Sequence, residues 1–452
     1  REWKGGGFGC RVQVEGTRMD GQRTHAASQA EEEDGGQQFC ALQIHAEPRD
    51  CLQAMGACFA AHRRPALEQR IGELWGEQDA GLAGSGGDRL AATPRSGWGG
   101  VIGVLSVRSG LHLLLSTLAL PRGSEVLMSA LNIPDVPAIM EHHGLVCVPV
   151  DLDLDTLGMR AELLTLAVTS RTRAILVAHV YGARADLDEV GAFAAATGLM
   201  LWEDCAEAFD GLRYTGHPLA DVALFSFGPI KFSTALQGGV LCVRDPGLAA
   251  RLRAAHERWP AQTRRSYFLR ALRFFVLVCL QRPRPLSAIM FLLRMLNIDH
   301  QPFFVWLVRS YHRGAGLAPL LKLLCRKPSG ALLSVMLSRF EEPRPRDNAQ
   351  AGRRMLQLLN LHNPPADSLE GRRSKLMWVP GLQAAAHSFW VFPVLVSNSR
   401  VLLRKLRLAG VDASSGSTQI CIVRPTDPAR APVTRHSLHL ATHASPPEEG
   451  LG

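Results

Sequence analysis

The chain has 452 residues, of which 46% are hydrophobic and 20% charged, ordinary values for a globular protein that buries a sizeable core. The formal net charge is +9, but the excess is local: residues 251–300 hold ten Arg, with Glu257 and Asp299 the only acids. No aromatic-interleaved basic motif or zinc-finger spacing accompanies it, so nucleic acid is not expected as a partner. Ten Cys are scattered without a C-x-x-C pair, which excludes a disulfide framework and fits a reducing, cytoplasmic location.

Residues 1–95 include GGG, EEED and GSGG and lack sustained periodicity. We expect this segment to be poorly ordered, apart from a short helix over Pro65–Gln78, where apolar residues recur three to four apart. No basic segment followed by an apolar one marks a signal peptide there. From about residue 100 the texture changes. Ser109–Leu120 is an apolar helix closed by Pro121-Arg122-Gly123. Short β-type runs follow: EVLMSA (125–130), LVCVPVDLD (145–153), RAILVAHVY (173–181), LMLWEDC (199–205), DVALFSF (221–227) and GGVLCVRD (238–245). Helical patterns over Pro137–His143, Ala161–Ala167 and Asp186–Thr197 separate several of them. Near-continuous apolar strands alternating with helices predict an α/β fold with a mostly parallel central sheet and helices on both faces. Such a sheet places chemistry at the carboxyl ends of its strands.

Residues 261–335 break the alternation with two apolar segments, ALRFFVLVCL (271–280) and LSAIMFLLRML (286–296), joined through Gln-Arg-Pro-Arg-Pro. Each is shorter than the roughly 20 residues of a spanning helix. Packing on the protein is the first expectation, and peripheral membrane contact through 267–297 the second. Residues 336–425 mix helix and strand patterns and suit a smaller C-terminal α+β domain. The tail 426–452 is rich in Pro, His and Ser and is expected to be loose. The predicted division is therefore 1–95, 96–260, 261–335, 336–425 and 426–452.

Two short stretches carry chemistry. In Leu201-Trp202-Glu203-Asp204-Cys205-Ala206-Glu207-Ala208, apolar strand residues run into acids where the strand stops. An acid there is a helix cap or a ligand contact at the sheet edge. In Phe225-Ser226-Phe227-Gly228-Pro229-Ile230-Lys231, a hydroxyl and a lysine follow the next strand across a Gly-Pro turn. The residues that follow, FSTALQGG (232–239), are apolar and small. A lysine partly removed from water disfavours its ammonium form, and the neutral amine is a nucleophile. Each stretch alone also fits a cap and a surface lysine.

Together, EDCAEA, FSFGPIK and the Gly-Gly strand, preceded by SVRSGLHLLLSTLALPRGSEVLMSA (106–130), resemble the DegT/DnrJ/EryC1/StrS sugar aminotransferases. These are pyridoxal-phosphate enzymes of the aspartate-aminotransferase fold type. The resemblance is good over roughly residues 100–250. It implies that Lys231 forms the Schiff base with the cofactor and shuttles a proton, and that Asp204 pairs with the pyridine nitrogen. It implies that Ser226 and the Arg108-Ser109-Gly110 helix start hold the phosphate, where unpaired N–H groups suit an anion. It places Ile133 against the ring, where an aromatic residue is usual, and Glu207 beside it, where Gln or His is usual. Gln237 stands for the common Glu, and the family's partner-subunit loop is not found downstream of Lys231.

The implied activity is transfer of an amino group from a donor such as glutamate to a keto acceptor, a nucleotide-linked keto sugar, by a homodimer. A cofactor-dependent lyase or dehydratase is the alternative, as is a non-catalytic membrane-peripheral or interaction protein on the same scaffold. The sugar dehydratase branch carries His in place of the lysine, so Lys231 favours transamination. His142 and His143 lack a second ligand pair and are not expected to bind metal. His179, Gly182 and Asp186 are expected near the site on a loop.

Overall fold

The computed structural model describes residues 12–16, 45–82, 97–282, 317–342, 348–358, 377–396, 399–408, 413–414 and 420–425, with scattered positions between 285 and 296 and residue 427. The chain-order elements begin with β1 (Val12–Gly16), α1 (Pro48–Ala57) and α2 (Arg64–Leu82). Then come β2 (Gly100–Val104), α3 (Val107–Leu118), β3 (Glu125–Ser129), β4 (Leu131–Asn132), α4 (Asp135–His142) and β5 (Val146–Val150). They continue with α5 (Ala161–Ala167), β6 (Thr172–Ala178), β7 (Ala183–Arg184), α6 (Asp188–Thr197), β8 (Met200–Asp204), β9 (Val222–Ser226), β10 (Gly239–Val243), α7 (Pro246–Glu257) and α8 (Arg264–Leu280).

Seven strands form the central sheet in the order β2-β10-β9-β8-β6-β3-β5. β10 runs antiparallel to both of its neighbours, and the ladders from β9 through β8, β6 and β3 to β5 are parallel. The strands alternate between two buried faces. Val126 and Met128 of β3 and Leu224 of β9 pack with α3 and α4, as does Leu241 of β10. Leu127 packs with α5 and α6, while Ala223, Phe225 and Cys242 meet α1, α2 and α8. With a side-chain period of two and both faces covered, each strand must be apolar throughout, which is why these segments read as continuous runs.

Within the N-terminal segment, residues 45–82 are more regular than the single short helix expected there. Residues 45–82 form α1 and α2, the latter extending beyond Pro65–Gln78 at both ends. Trp75 is completely buried, stacked on Phe209 and edge-on to Phe225 and Phe340. Ile71 and Trp75 lie four apart on the buried face, with Leu67 and Leu74 packed beside them. The segment boundaries are also crossed. β1 pairs in parallel with β13 (Phe392–Val396) in a four-stranded sheet ordered β11 (Met377–Trp378), β13, β1, β14 (Ala413–Ser414). Two further bridges tie this C-terminal part to the large sheet's loops, β12 (Ala386–His387) to β7 and β15 (Cys421–Ile422) to β4.

The first apolar segment of 261–335 lies in α8, which buries Tyr267, Ala271, Phe274 and Leu277 against the core. The helix Gly330–Glu341 packs beside it. Part of 286–296, the second arm of the expected pair, and the tail beyond 427 lie outside the described residues. Among the described residues, no helix is long and apolar enough to cross a membrane.

Candidate active site

The parallel register aligns the carboxyl ends of β6, β8 and β9, with Ala178 opposite Asp204 and Asp204 opposite Leu224. Consecutive acids at the end of β8 face opposite sides and meet different fates. Glu203 is fully buried, with His179 Nε2 at 2.7 Å and the His217 N–H donating at 2.8 Å; the Tyr214 hydroxyl donates to the same carboxylate. His179 Nδ1 accepts the Ala185 N–H, which leaves Nε2 as the donor to Glu203. Burial opposes the charge on Glu203, but His179, Tyr214 and the His217 amide together outweigh it and hold the carboxyl down at about 2. Glu203 and His179 thus form a closed, satisfied pair beneath the sheet edge.

Asp204 has fewer donors. Its Oδ1 accepts the Ala206 N–H at 3.0 Å, and its own carbonyl accepts the His179 N–H. Burial pushes its carboxyl up, opposed by the Ala206 amide and the charges of Lys231 and His179. An anion here needs a further cation or N–H donor to be comfortable.

Lys231 follows the turn Gly228-Pro229-Ile230, closed by its own N–H to the Gly228 carbonyl. Its Nζ lies 3.7 Å from Glu207 Oε1 and 3.9 Å from the centroid of the Trp390 ring. Trp390 in turn donates its indole N–H to the Ile230 carbonyl at 2.9 Å. Glu207 Oε2 accepts the Tyr181 N–H at 2.9 Å, in a turn where Tyr181 and Gly182 have φ of 61° and 87°. Burial pushes the Glu207 carboxyl up, against the pull of Lys231 and the Tyr181 amide. Glu207, Ser226, Lys231, Phe232, Ser233 and Trp390 line one small pocket. The surroundings of Lys231 are therefore less uniformly apolar than FSTALQGG suggests: an acid and a π face, both attractive to a cation, come from distant segments.

The start of α3 reaches the same edge by a close approach. Gly239 pairs with Ser226 across the β9–β10 ladder, and a Cβ on Gly239 would lie 2.7 Å from the Phe225 carbonyl oxygen and 3.1 Å from the Val107 nitrogen. Only glycine lets the first turn of α3 settle there. Gly110 serves the same contact deeper down, since a Cβ would press on Leu224 at 2.9 Å.

The expected phosphate donors are partly committed. The Ser109 N–H is capped by Ser106 Oγ at 3.2 Å, the Gly110 N–H donates to the Ser106 carbonyl, and Arg108 pairs with Asp135 at 2.6 Å. Ser106 is an ordinary N-cap, so it uses the amides that the sequence reading left open.

Ile133 is not in the pocket wall. Its side chain packs against the core cluster of α3 and α4, and its N–H donates to Asn132 Oδ1. The strand pair β4–β15 turns the segment so that Asn132, buried with its Nδ2 unpartnered among the described residues, precedes it. Nor are His142 and His143 isolated, because His143 Nε2 meets His112 Nδ1 at 3.0 Å. Sequence reasoning missed Trp390, Tyr181 and Tyr214; nothing local to these residues distinguishes them from other aromatics of the chain, and only the tertiary fold brings them to the site.

Residues 96–268 match the DegT/DnrJ/EryC1/StrS aminotransferase family. A segment of 114 residues is 41% identical to L-glutamine:2-deoxy-scyllo-inosose aminotransferase of Streptomyces fradiae, covering 24% of this chain and 27% of that protein. The chain thus matches about a quarter of the length of this curated relative. The fold is similar to that of the aminotransferase TlmJ from Streptoalloteichus hindustanus, with a TM-score of 0.53, 19% identity and 83% of each chain covered. The matched stretch, residues 96–268, holds the large sheet and every wall residue of the pocket except Trp390, so the similarity to the DegT/DnrJ/EryC1/StrS aminotransferase family falls on the part of the chain that carries the site.

Proposed function

We propose that this protein is a pyridoxal-phosphate-dependent aminotransferase in which Lys231 is the amine that binds the cofactor. The observation that supports it is the convergence of Lys231, Asp204, Ser226 and the start of α3 on one carboxyl edge of the sheet. The donor set suits the cofactor. Asp204, buried and short of donors, offers a carboxylate to a ring N–H. Ser226 and the α3 terminus, brought together by Gly239, offer a hydroxyl and a positive dipole end to a phosphate. When bound, the cofactor supplies an electron sink next to an amino acid's α-carbon.

The chain's own groups would then divide the work. Asp204 keeps the ring nitrogen protonated. Lys231 Nζ, held within reach of Glu207 Oε1, accepts and returns a proton. Ser226 and Ser233 orient the phosphate-bearing end, and Trp390 excludes water from the lysine side.

We propose glutamate or glutamine as the amino donor and a keto sugar, nucleotide-linked, as the acceptor, with a homodimer as the working unit. Glutamine as donor and a polyhydroxylated ketone as acceptor are supported by the activity of the similar Streptomyces fradiae L-glutamine:2-deoxy-scyllo-inosose aminotransferase.

The test begins with purified protein and pyridoxal phosphate. A visible absorbance band should form, borohydride should bleach it, and mass mapping should place the reduced adduct on Lys231. Lys231→Ala should abolish all three. An adduct on another lysine would overturn the assignment. Adding glutamate or glutamine should convert the cofactor to its amine form, and a panel of nucleotide-linked keto sugars should then restore the original band.

A further inference from the structure

Exposed large apolar side chains are concentrated in one part of the molecule. Of the 13 among the described residues, eight lie between positions 269 and 296: Leu269, Leu272, Val276 and Leu280 on α8, then Phe291, Leu292, Met295 and Leu296. Single exposed apolar residues are commonplace, whereas a contiguous patch signals a partner.

α8 is apolar on two sides. Tyr267, Ala271, Phe274 and Leu277 are buried in the core. On the other side Leu269, Leu272, Val276 and Leu280 are 52, 39, 47 and 36% exposed. At about 100° per residue these four share one stripe roughly 100° wide, and the exposed Arg265 and Arg273 fall on the same stripe. A helix that is apolar on both sides is stable in contact with two apolar media, and the core supplies only one. Phe59 extends the surface, 79% exposed and edge-on to Phe268 of α8.

Charge identifies the second medium. Arg264 and Arg282 are also exposed, and Glu257 and Asp299 are the only acids among residues 251–300 against ten Arg. An apolar stripe edged by arginines matches the boundary of a bilayer with anionic headgroups: Leu and Val enter the acyl region, and the guanidinium groups reach back to phosphates. The absence of a spanning helix among the described residues fits a helix lying in the membrane plane. We propose that the outer face of α8 docks this protein on an anionic membrane surface.

The experiment is co-sedimentation of the purified protein with vesicles, one set an equal mixture of phosphatidylglycerol and phosphatidylcholine, the other phosphatidylcholine alone. Binding to the anionic set is expected, weakening as salt screens the headgroups. Arg265→Gln and Arg273→Gln should each weaken it by roughly fivefold, and Leu272→Glu with Val276→Glu should remove it while the melting temperature stays near that of the parent. If the double variant fails to fold, the single changes Leu269→Gln and Val276→Gln serve, each expected to reduce binding. Light scattering of the same samples reports the competing occupant. A soluble dimer that Leu272→Glu with Val276→Glu makes monomeric, with no vesicle binding by the parent, would overturn the proposal in favour of a second copy. Lack of binding to either vesicle set, or binding by the Leu272→Glu with Val276→Glu variant equal to that of the parent, would also overturn it. Vesicle binding needs no cofactor, so its result is independent of the pocket's chemistry.

Discussion

Lys231 Nζ lies 3.9 Å from the centroid of the Trp390 ring, and the same indole holds the backbone one residue earlier through the Ile230 carbonyl. One side chain from the C-terminal part of the chain therefore touches both the lysine and its loop. A double-mutant cycle in the cofactor-free protein, Trp390→Leu with Lys231→Met, should show non-additivity of about 1 kcal/mol in urea denaturation. Additive effects would mean that the ring and the ammonium do not interact.

Gly239 is expected to be intolerant of any side chain. Gly239→Ala must displace either the Phe225 carbonyl or the first turn of α3. We expect a stability loss of about 1–3 kcal/mol and a larger proportional loss of cofactor affinity, read by titrating absorbance. A stable variant with unchanged affinity would show that α3 does not help to hold the phosphate.

Glu203 sets a stability-versus-pH dependence. Its carboxyl is held at about 2, below its ordinary 4.5, so the folded state binds its proton less readily than the unfolded chain does. The stabilisation is present above about 4.5 and is lost as pH falls towards 2. In Glu203→Gln the new amide N–H₂ confronts the His217 N–H, donor against donor, and a cost of about 2–3 kcal/mol is expected at neutral pH. The difference from the parent should shrink on acidification, as measured by denaturant titrations at several pH values.

Asp204 has the opposite sign. Burial raises its carboxyl above the ordinary value, so its charged form costs stability as pH rises past the unfolded value. Asp204→Asn keeps an oxygen for the Ala206 N–H and removes the charge. The cofactor-free variant should be as stable as the parent or more so at neutral pH, with the gain fading in acid. Its cofactor affinity should fall at least tenfold if the carboxylate pairs with a ring N–H, a trade of stability for function. A destabilised variant that binds the cofactor normally would contradict both halves.

The large sheet was legible because its strands are buried on both faces and its chemistry lies at strand ends, so Asp204, Ser226 and Lys231 stand where local texture changes. The resemblance added order to those motifs. Of the N-terminal helices, α2 was legible as the helix over Pro65–Gln78 and α1 was not; the aromatic partners of Trp75, namely Phe209, Phe225 and Phe340, lie far along the chain and left no local sign. Ile133 was misplaced because a two-residue strand, β4, sets its direction, and such short pairings leave no periodicity to read. The competition of Ser106 for the Ser109 amide is equally local, yet a capping serine and a phosphate make the same demand on a helix start. Trp390 stands at the head of an apolar run, WVFPVLVS (390–397), and its partner, Lys231, is 159 positions away.

The position of β1 carries a consequence for biosynthesis. Val12–Gly16 lies between Phe392–Val396 and Ala413–Ser414 in its sheet, so this strand leaves the ribosome long before either of its partners and must wait for them before it can pair. The α/β layers of residues 100–257 can assemble in the interval. Completion of the small sheet therefore reports arrival of an intact C-terminal part, and a chain stopped before residue 392 would leave an unpaired N-terminal strand open to proteolysis.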